Sequence, residues 1–484
     1  MKKSMYNINT SKKYGKINMK KNYFKILIAS IVLSTNIYAN AKQDVTNGTI
    51  LHCFCWSFKT IEENIPKIAE AGFTAVQTSP ANTCLVGDYG GLDLLGADLT
   101  GKWYYHYQPT DWKIGNYQLG TRDDFISMCK KAEEYNISVI VDVLPNHTTP
   151  RIKEISPDFI EAVGGMEKLY HKNNKYHISD FSDRLQCTTY QMGGLPDVNT
   201  ENPLFQKYYM NYVNDLIDCG ADGFRYDTAK HIGLPDDPKD PYAKENDFWP
   251  IFTGQKPIDG VMLKNSENLF IYGEVLQGGN SREKAYTKFF PTVASSYGTV
   301  LRKSLTEKKL KASKLKDWKH PGKMVTWVES HDTYANYGES AKMKNFELRA
   351  GWAIITSRKD GTPLFFSRPK GPEGVQFPGV SQIGDAGNDE FQNDEVKAVN
   401  LFRKEMIGEP EELLNYGKSD EILIIKRGNK GLVIVNISKK NAKIDLEVSL
   451  KDGEYTDKAN AIKFTVKDGK LSGKMPKEKI AVIY

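Results

Sequence analysis

From about residue 48 to about residue 407, short apolar runs alternate with stretches whose apolar residues recur three and four positions apart. The runs predict buried strands at 49–55, 74–78, 138–143, 223–227, 269–275, 324–330 and 363–367, with a weaker sixth strand near 294–297. The spaced stretches predict helices at 61–71, 122–135, 205–218, 347–357 and 395–406, the first one stopped by Gly72. Repeated strand–helix alternation implies an α/β class, and eight such units fit a (β/α)8 TIM barrel. One connection is too long for a plain barrel. The 60 or so residues between the strand at 138–143 and the helix at 205 predict an inserted small loop-rich domain after the third strand. Beyond residue 410 the period changes to two, at 422–427, 431–437, 442–448 and 480–484, with turn signals at Asp452-Gly453 and Asp468-Gly469. That pattern predicts a C-terminal antiparallel β domain. The expected organisation is a leader at 1–41, a barrel at 42–143 and 201–409, an insertion at 144–200 and a β domain at 410–484.

The leader follows a different pattern. Lys20, Lys21 and Lys25 precede an apolar run from Ile26 to Leu33, and Ala39 and Ala41 follow as an A-x-A cleavage pattern. A secretory signal removed after Ala41 is expected, with Met19 as an alternative start. The run is shorter than the ~20 apolar residues of a membrane span. Eight of the 66 basic residues and none of the 60 acidic ones lie in 1–41. The remainder holds 58 basic against 60 acidic residues, so it has no net charge to favour nucleic acid or a membrane surface. A secreted, extracellular protein without membrane association after cleavage is expected, acting as a monomer. Six Cys (53, 55, 84, 129, 187 and 219) are too few for a disulfide-built scaffold, although an even count permits bridges. Cys53 and Cys55 would share one face of a strand as small buried hydrophobes, and their spacing does not suit zinc.

Acidic residues stand at the ends of the apolar strands. They are Asp142, Asp227 with Arg225 two positions before it, Glu274, and Asp332 after His331. Strand C-termini of a (β/α)8 barrel converge on one face, so these groups would meet around one pocket. A guanidinium beside Asp227 keeps that carboxylate ionised, whereas partial burial raises Glu274 and lets it hold a proton. Two carboxyls of separated acidity are the machinery of a retaining glycosidase: a nucleophile and an acid/base. Asp332 would favour the oxocarbenium-like transition state, and His147 and His331 would donate hydrogen bonds to sugar hydroxyls. Trp103, Tyr104, Tyr105, Tyr107 and Trp112 form a dense aromatic group, expected to be exposed and to stack on sugar faces. Asn146, Asp197 and carbonyls of the insertion are hard oxygen donors that suit calcium.

The segments Asp142-Val-Leu-Pro-Asn-His147, Gly223-Phe-Arg-Tyr-Asp-Thr-Ala-Lys-His231, Tyr272-Gly-Glu-Val275 and Val328-Glu-Ser-His-Asp332 resemble the four signature regions of glycoside hydrolase family 13. Leu195-Pro-Asp-Val-Asn199 resembles the fifth, and the likeness extends over nearly the whole chain after the leader. Within the family the chain looks most like the secreted bacterial α-amylases. The resemblance implies endo-hydrolysis of α-1,4 bonds in starch-type α-glucans. It implies Asp227 as nucleophile, Glu274 as acid/base and Asp332 as stabiliser, with Tyr104, Tyr107, Gln108, His147, Arg225, Lys230, His231 and His331 as sugar contacts. For calcium it implies the Asn146 and Asp197 side chains with the carbonyls of Thr188 and His231. Ser330 stands where chloride-activated relatives carry Asn, so no chloride requirement is expected. Two alternatives keep parts of this picture: a maltogenic, pullulan-active or transglycosylating relative, and a non-catalytic glucan-binding protein.

Overall fold

The computed structural model describes residues 44–88, 90–94, 102–240, 245–376 and 380–484. The expected leader and its cleavage site lie outside these residues. Residues 42–484 form one compact unit.

Eight parallel strands close a barrel: β1 Ile50–Cys53, β2 Ala75–Thr78, β3 Ser138–Val143, β4 Gly223–Tyr226, β5 Phe270–Gly273, β6 Thr292–Val293, β7 Met324–Trp327 and β8 Thr362–Phe366. Neighbours pair in sequence order, and β1 returns to β8 through Ile50 opposite Leu364. Nearly every strand residue is buried, because one face fills the barrel and the other lies under helices. The helices are α1 Phe58–Glu70, α2 Arg122–Glu134, α3 Pro203–Asp218, α4 Phe248–Phe252, α5 Glu283–Tyr286, α6 Ser295–Thr306, α7 Asn345–Thr356 and α8 Asp394–Glu405. Their starts are chemically marked. Ser57 accepts from the Thr60 N–H at α1, and Thr121 and Asp124 close a capping box at α2. Phe58, Ile61, Ile65 and Ile68 form the buried stripe of α1. At Gly223 the β4 and β5 backbones approach so closely that a Cβ would stand 2.1 Å from the Phe270 carbonyl oxygen.

The sixth strand differs from expectation. It is only Thr292–Val293, and residues 294–297 instead lead into α6. Tyr297, Leu301 and Leu305 recur four apart and are buried, so their apolar character belongs to a helical stripe. The connection from β3 to α3 carries three short helices, Pro157–Ala162, Met166–Leu169 and Arg184–Thr189. A second excursion, between β2 and α2, holds a two-stranded ribbon of Asn82–Cys84 against Pro109–Ile114, which the sequence pattern did not suggest.

The C-terminal part contains two four-stranded antiparallel sheets. One orders β9 Glu411–Asn415, β10 Ile422–Arg427, β11 Gly431–Asn436 and β16 Lys479–Ile483. The other orders β12 Ala442–Glu447, β15 Lys470–Met475, β14 Lys463–Lys467 and β13 Gly453–Thr456. Their facing sides bury Ile424, Ile434, Ile444, Phe464 and Leu471. Arg427 ties the first sheet to the barrel by donating to the carbonyls of Ser357, Met406 and Glu409.

All six cysteines are buried and unbridged. Cys53 ends β1, but Cys55 takes a left-handed φ of 61°, so the two do not share a continuing strand face. Among the described residues no helix is long and apolar enough to cross a membrane.

Candidate active site

Asp142 lies in β3 and Arg225 in β4; Asp227 and Glu274 follow the ends of β4 and β5, and His331 and Asp332 come a few residues after β7. Parallel strands bring these ends to one face of the barrel. Arg225 is 4% exposed and is the hub of the group. Its Nη1 donates to Asp142 Oδ1 and Oδ2 at 2.8 and 2.9 Å and to Asp227 Oδ1 at 2.6 Å. Its Nη2 pairs with Glu274 Oε2 at 2.9 Å.

Three carboxyls around one guanidinium cannot all ionise cheaply in a buried site. Burial pushes both Asp142 and Glu274 above the usual carboxylate range, with Arg225 opposing and Asp227 adding to the rise. The hydrogen bonds decide where the proton rests. Both oxygens of Asp142 accept from Arg225, and Oδ2 also accepts from the Tyr107 hydroxyl at 2.9 Å. Those donors favour its anion. In Glu274, Oε2 takes the Arg225 contact and the Thr228 N–H at 2.9 Å, so Oε1 remains for a proton. Asp332, with a side chain 25% exposed, is the most open of the four acids and further raises Glu274. Its Oδ1 accepts from Asn336 Nδ2 at 2.5 Å.

A cleft of about 720 Å³ opens over these groups. Tyr104, Tyr107, Gln108, His147, Lys230, His231 and His331 all line it, with Asp227, Glu274 and Asp332. Arg225 lies below, lining an adjoining pocket of about 300 Å³ that also touches Glu274 and Asp332. His331 is clamped between aromatic faces, stacked on Tyr107 at 5.0 Å and on Phe54 at 5.8 Å. His147 corrects one expectation. Its Nε2 contacts the Tyr107 carbonyl at 2.9 Å, which can only accept, and burial keeps the ring neutral. Its unpartnered Nδ1 is therefore an acceptor rather than a donor. Burial likewise lowers His231 to about 4, and its Nδ1–H donates to the Cys187 carbonyl at 2.8 Å.

The aromatic group is not the exposed cluster expected. Trp103, Tyr105, Tyr107 and Trp112 are all under 10% exposed, and Trp112 packs against Phe159 and Phe205 beneath the insertion. Tyr104 is half-buried at the cleft wall. The ribbon between β2 and α2 folds these rings inward. Phe181, Leu276, Asn336 and Tyr337, which no sequence motif marks, also line the cleft. Tyr337 is 66% exposed, yet no periodic signal marks it.

The expected calcium donors draw together in part. His147 bridges to Asp197 as a β-pair, and the Val198 N–H donates to the Asn146 carbonyl at 2.8 Å. The His231–Cys187 bond brings the turn after β4 to the helix that carries Thr188. Asn146 Nδ2 is buried without a partner; an amide nitrogen only donates, so any contact of Asn146 with a cation would be through its oxygen. Asp197 Oδ2 is taken by His171 Nδ1 at 2.5 Å, and His171 Nε2 meets Glu201 at 2.5 Å. Burial opposes a charge on His171, but Glu201 and Asp197 outweigh it and raise the ring to about 10. Among the described residues no group of three or more His, Cys, Asp or Glu could hold a metal. The expected donor set asks for only one such side chain, Asp197.

Comparison with known proteins places this arrangement. The family model for the α-amylase catalytic domain matches residues 37–346. The chain belongs to the α-amylase family, glycoside hydrolase family 13. The α-amylase of Butyrivibrio fibrisolvens is 46% identical over 469 residues, covering 91% of this chain and 48% of that protein. The α-amylase of Clostridium acetobutylicum is 34% identical over 450 residues, covering 91% and 54%. The chain thus spans about half the length of these curated relatives. Among solved structures, the α-amylase of Geobacillus thermoleovorans aligns with a TM-score of 0.69 at 18% identity, covering 90% of this chain and 98% of that one. α-Amylase I of Eisenia fetida gives 0.69 at 17% identity, covering 91% and 97%. Both share the family's fold.

Asp332 raises Glu274, so Asp332→Asn should move the Glu274 titration to lower pH. Carboxyl difference infrared spectra, with Glu274→Gln as the blank, read this directly. An unmoved or higher midpoint contradicts the charge arrangement.

Proposed function

We propose that the protein is a secreted, calcium-dependent α-amylase that cuts internal α-1,4 bonds of starch-type glucans with retention of configuration. The observation that carries this reading is the Arg225 clamp. One buried guanidinium holds Asp227 and Glu274 on opposite nitrogens at the floor of a family 13 cleft.

Asp227, held through Oδ1, keeps Oδ2 for attack on the anomeric carbon. Glu274 gives its Oε1 proton to the departing glycosidic oxygen, and a covalent glycosyl–Asp227 ester forms. Glu274 then takes a proton from water, whose oxygen attacks the same carbon and releases Asp227. Two inversions retain the configuration. Asp332 favours the positive charge that develops on the sugar ring in each step. Tyr104, Tyr107, Gln108, His147 and His331 line the sugar-binding side of the cleft, with His147 accepting from a hydroxyl. Lys230 and His231 stand where the leaving sugars would sit.

Asn146 and Asp197, with the carbonyls of Thr188 and His231, would hold the calcium ion. Bound there, the ion supplies a structural charge rather than a step of the reaction. It would fasten the end of β3, the insertion and the turn after β4 to one another. The leader read at 1–41 supports export.

Soluble starch digestion tests the reading. Iodine colour should fall steeply at low yield of reducing ends; slow colour loss with many ends would indicate exo or maltogenic action instead. Asp227→Asn and Glu274→Gln should each fold and lose about a hundredfold or more in turnover. A folded variant keeping a tenth of the activity overturns the assignment. Exhaustive chelation should lower the unfolding temperature, since an ion bound only to the native state stabilises it. An unchanged melt, with metal content measured before and after, counts against the calcium site.

A further inference from the structure

The near-neutral balance of residues 42–484 conceals a concentrated basic surface. Residues 302–323, from the second half of α6 to the start of β7, hold eight Lys and one Arg against Glu307 and Asp317. Lys303, Lys309, Lys311 and Lys314 surround a hollow of about 510 Å³ whose remaining wall is Val300, Ser304 and Glu307. All four lysines are exposed. Elsewhere in the segment Arg302, Lys308 and Lys319 pair with Glu339, Glu347 and Glu283 at 2.7, 2.9 and 3.0 Å, but around the hollow neutralisation is slight. Lys303 reaches Glu307 only at 3.8 Å and Lys311 reaches Asp420 only at 3.9 Å. Among the described residues Lys309 and Lys314 make no ion pair.

A solvated charged face is the ordinary explanation for surface lysines, and two features go beyond it. The negative end of the α6 dipole favours Lys303 in its last turn but does not extend to the three lysines after it. The frame that carries those three is also fixed. Leu310 donates its N–H to the Asp420 carbonyl at 2.7 Å, and Asn415 brackets the segment by donating to the Leu310 carbonyl at 2.6 Å and accepting from the Ala312 N–H at 2.9 Å. Leu310 and Leu315 are buried beneath it. A fixed backbone therefore holds four lysines around one concavity whose wall carries a single carboxylate, Glu307, a net positive hollow that favours an anion shared among them.

We propose that this hollow is an attachment site for a flexible, base-free phosphodiester polymer of the polyol-phosphate kind found in bacterial cell walls. Lysines are compact point charges on flexible stems, suited to a mobile chain of phosphates rather than to one planar group. Single-stranded nucleic acid binding draws on aromatic platforms. The segment's aromatic residue, Trp318, is 3% exposed and lies under the Arg358 guanidinium at 4.3 Å. Duplex recognition needs a helix or ribbon that enters a groove, whereas this surface is concave. The link from α6 to β7 enters the N-terminal end of a barrel strand, on the face opposite the cleft. A polymer held there leaves the cleft open, so an exported enzyme could be retained at the wall while it works on glucan.

The test titrates residues 42–484 with poly(glycerol phosphate) at several salt concentrations. Binding should weaken steeply with salt. The combined variant Lys303→Gln, Lys309→Gln, Lys311→Gln and Lys314→Gln should lose roughly tenfold or more in affinity with a shallower salt slope. A control with the same charge change, at exposed Lys439, Lys451, Lys463 and Lys474, should stay within about twofold of the parent. Thermal unfolding shows that both variants are folded, independently of any glucan activity. No binding by the parent, equal loss in both variants, or equal or tighter binding of a DNA oligomer of matched charge would overturn the proposal.

Discussion

A guanidinium buried at the centre of a barrel must be paired, and Arg225 meets that demand with carboxyls from three consecutive strands. Removing a partner from such a pair costs about 3–5 kcal/mol, because a charge is left buried and uncompensated. The pairing therefore fixes the relative positions of β3, β4 and β5, and with them the floor of the cleft. It also fixes the proton inventory. Asp142 takes donors on both oxygens, which oppose the rise that burial imposes on it, while Glu274 keeps one oxygen free for a proton. The same cation serves folding and chemistry, so the site is built into the core rather than grafted onto loops.

What surrounds the floor serves to shape it. The ribbon between β2 and α2 turns Trp103 and Tyr107 inward, so that Tyr107 both donates to Asp142 and stacks on His331. The insertion after β3 supplies the opposite wall, and the contacts of Asp197 and His231 join it to the strand ends. His171, cationic between Asp197 and Glu201, links the insertion to the residues that lead into α3. A calcium ion among Asn146, Asp197 and the two carbonyls would act on the same joint. The insertion has few long elements of its own, and the joint is where it gains order.

Most of the barrel is legible in the sequence because a buried strand has no polar reason to exist except at its end. Asp142, Asp227, Glu274 and Asp332 stand out against apolar neighbours for that reason. Sequence reading fails where local pattern and tertiary role diverge. Residues 294–297 read Ala-Ser-Ser-Tyr, a weak strand signal, and Tyr297 lies at helical spacing with Leu301 and Leu305, which draws the segment into α6. The aromatic group reads as exposed, since the ribbon that buries it is too short and irregular to signal itself. In β15 the Ser472-Gly473 pair breaks the alternation, yet Phe464 packs where a side chain of Gly473 would stand. His171 lies 26 and 30 residues from its two carboxylates in a polar stretch, a pairing that no spacing rule reaches.

The central claim is that Arg225 sets Asp227 and Glu274 up for double displacement. The most direct measurement is proton NMR of the anomeric region during the first minutes of maltooligosaccharide hydrolysis. The account predicts that the α-anomer of the new reducing end appears first and mutarotates to the β-anomer later. If the β-anomer appears first, the double-displacement reading of the clamp is wrong.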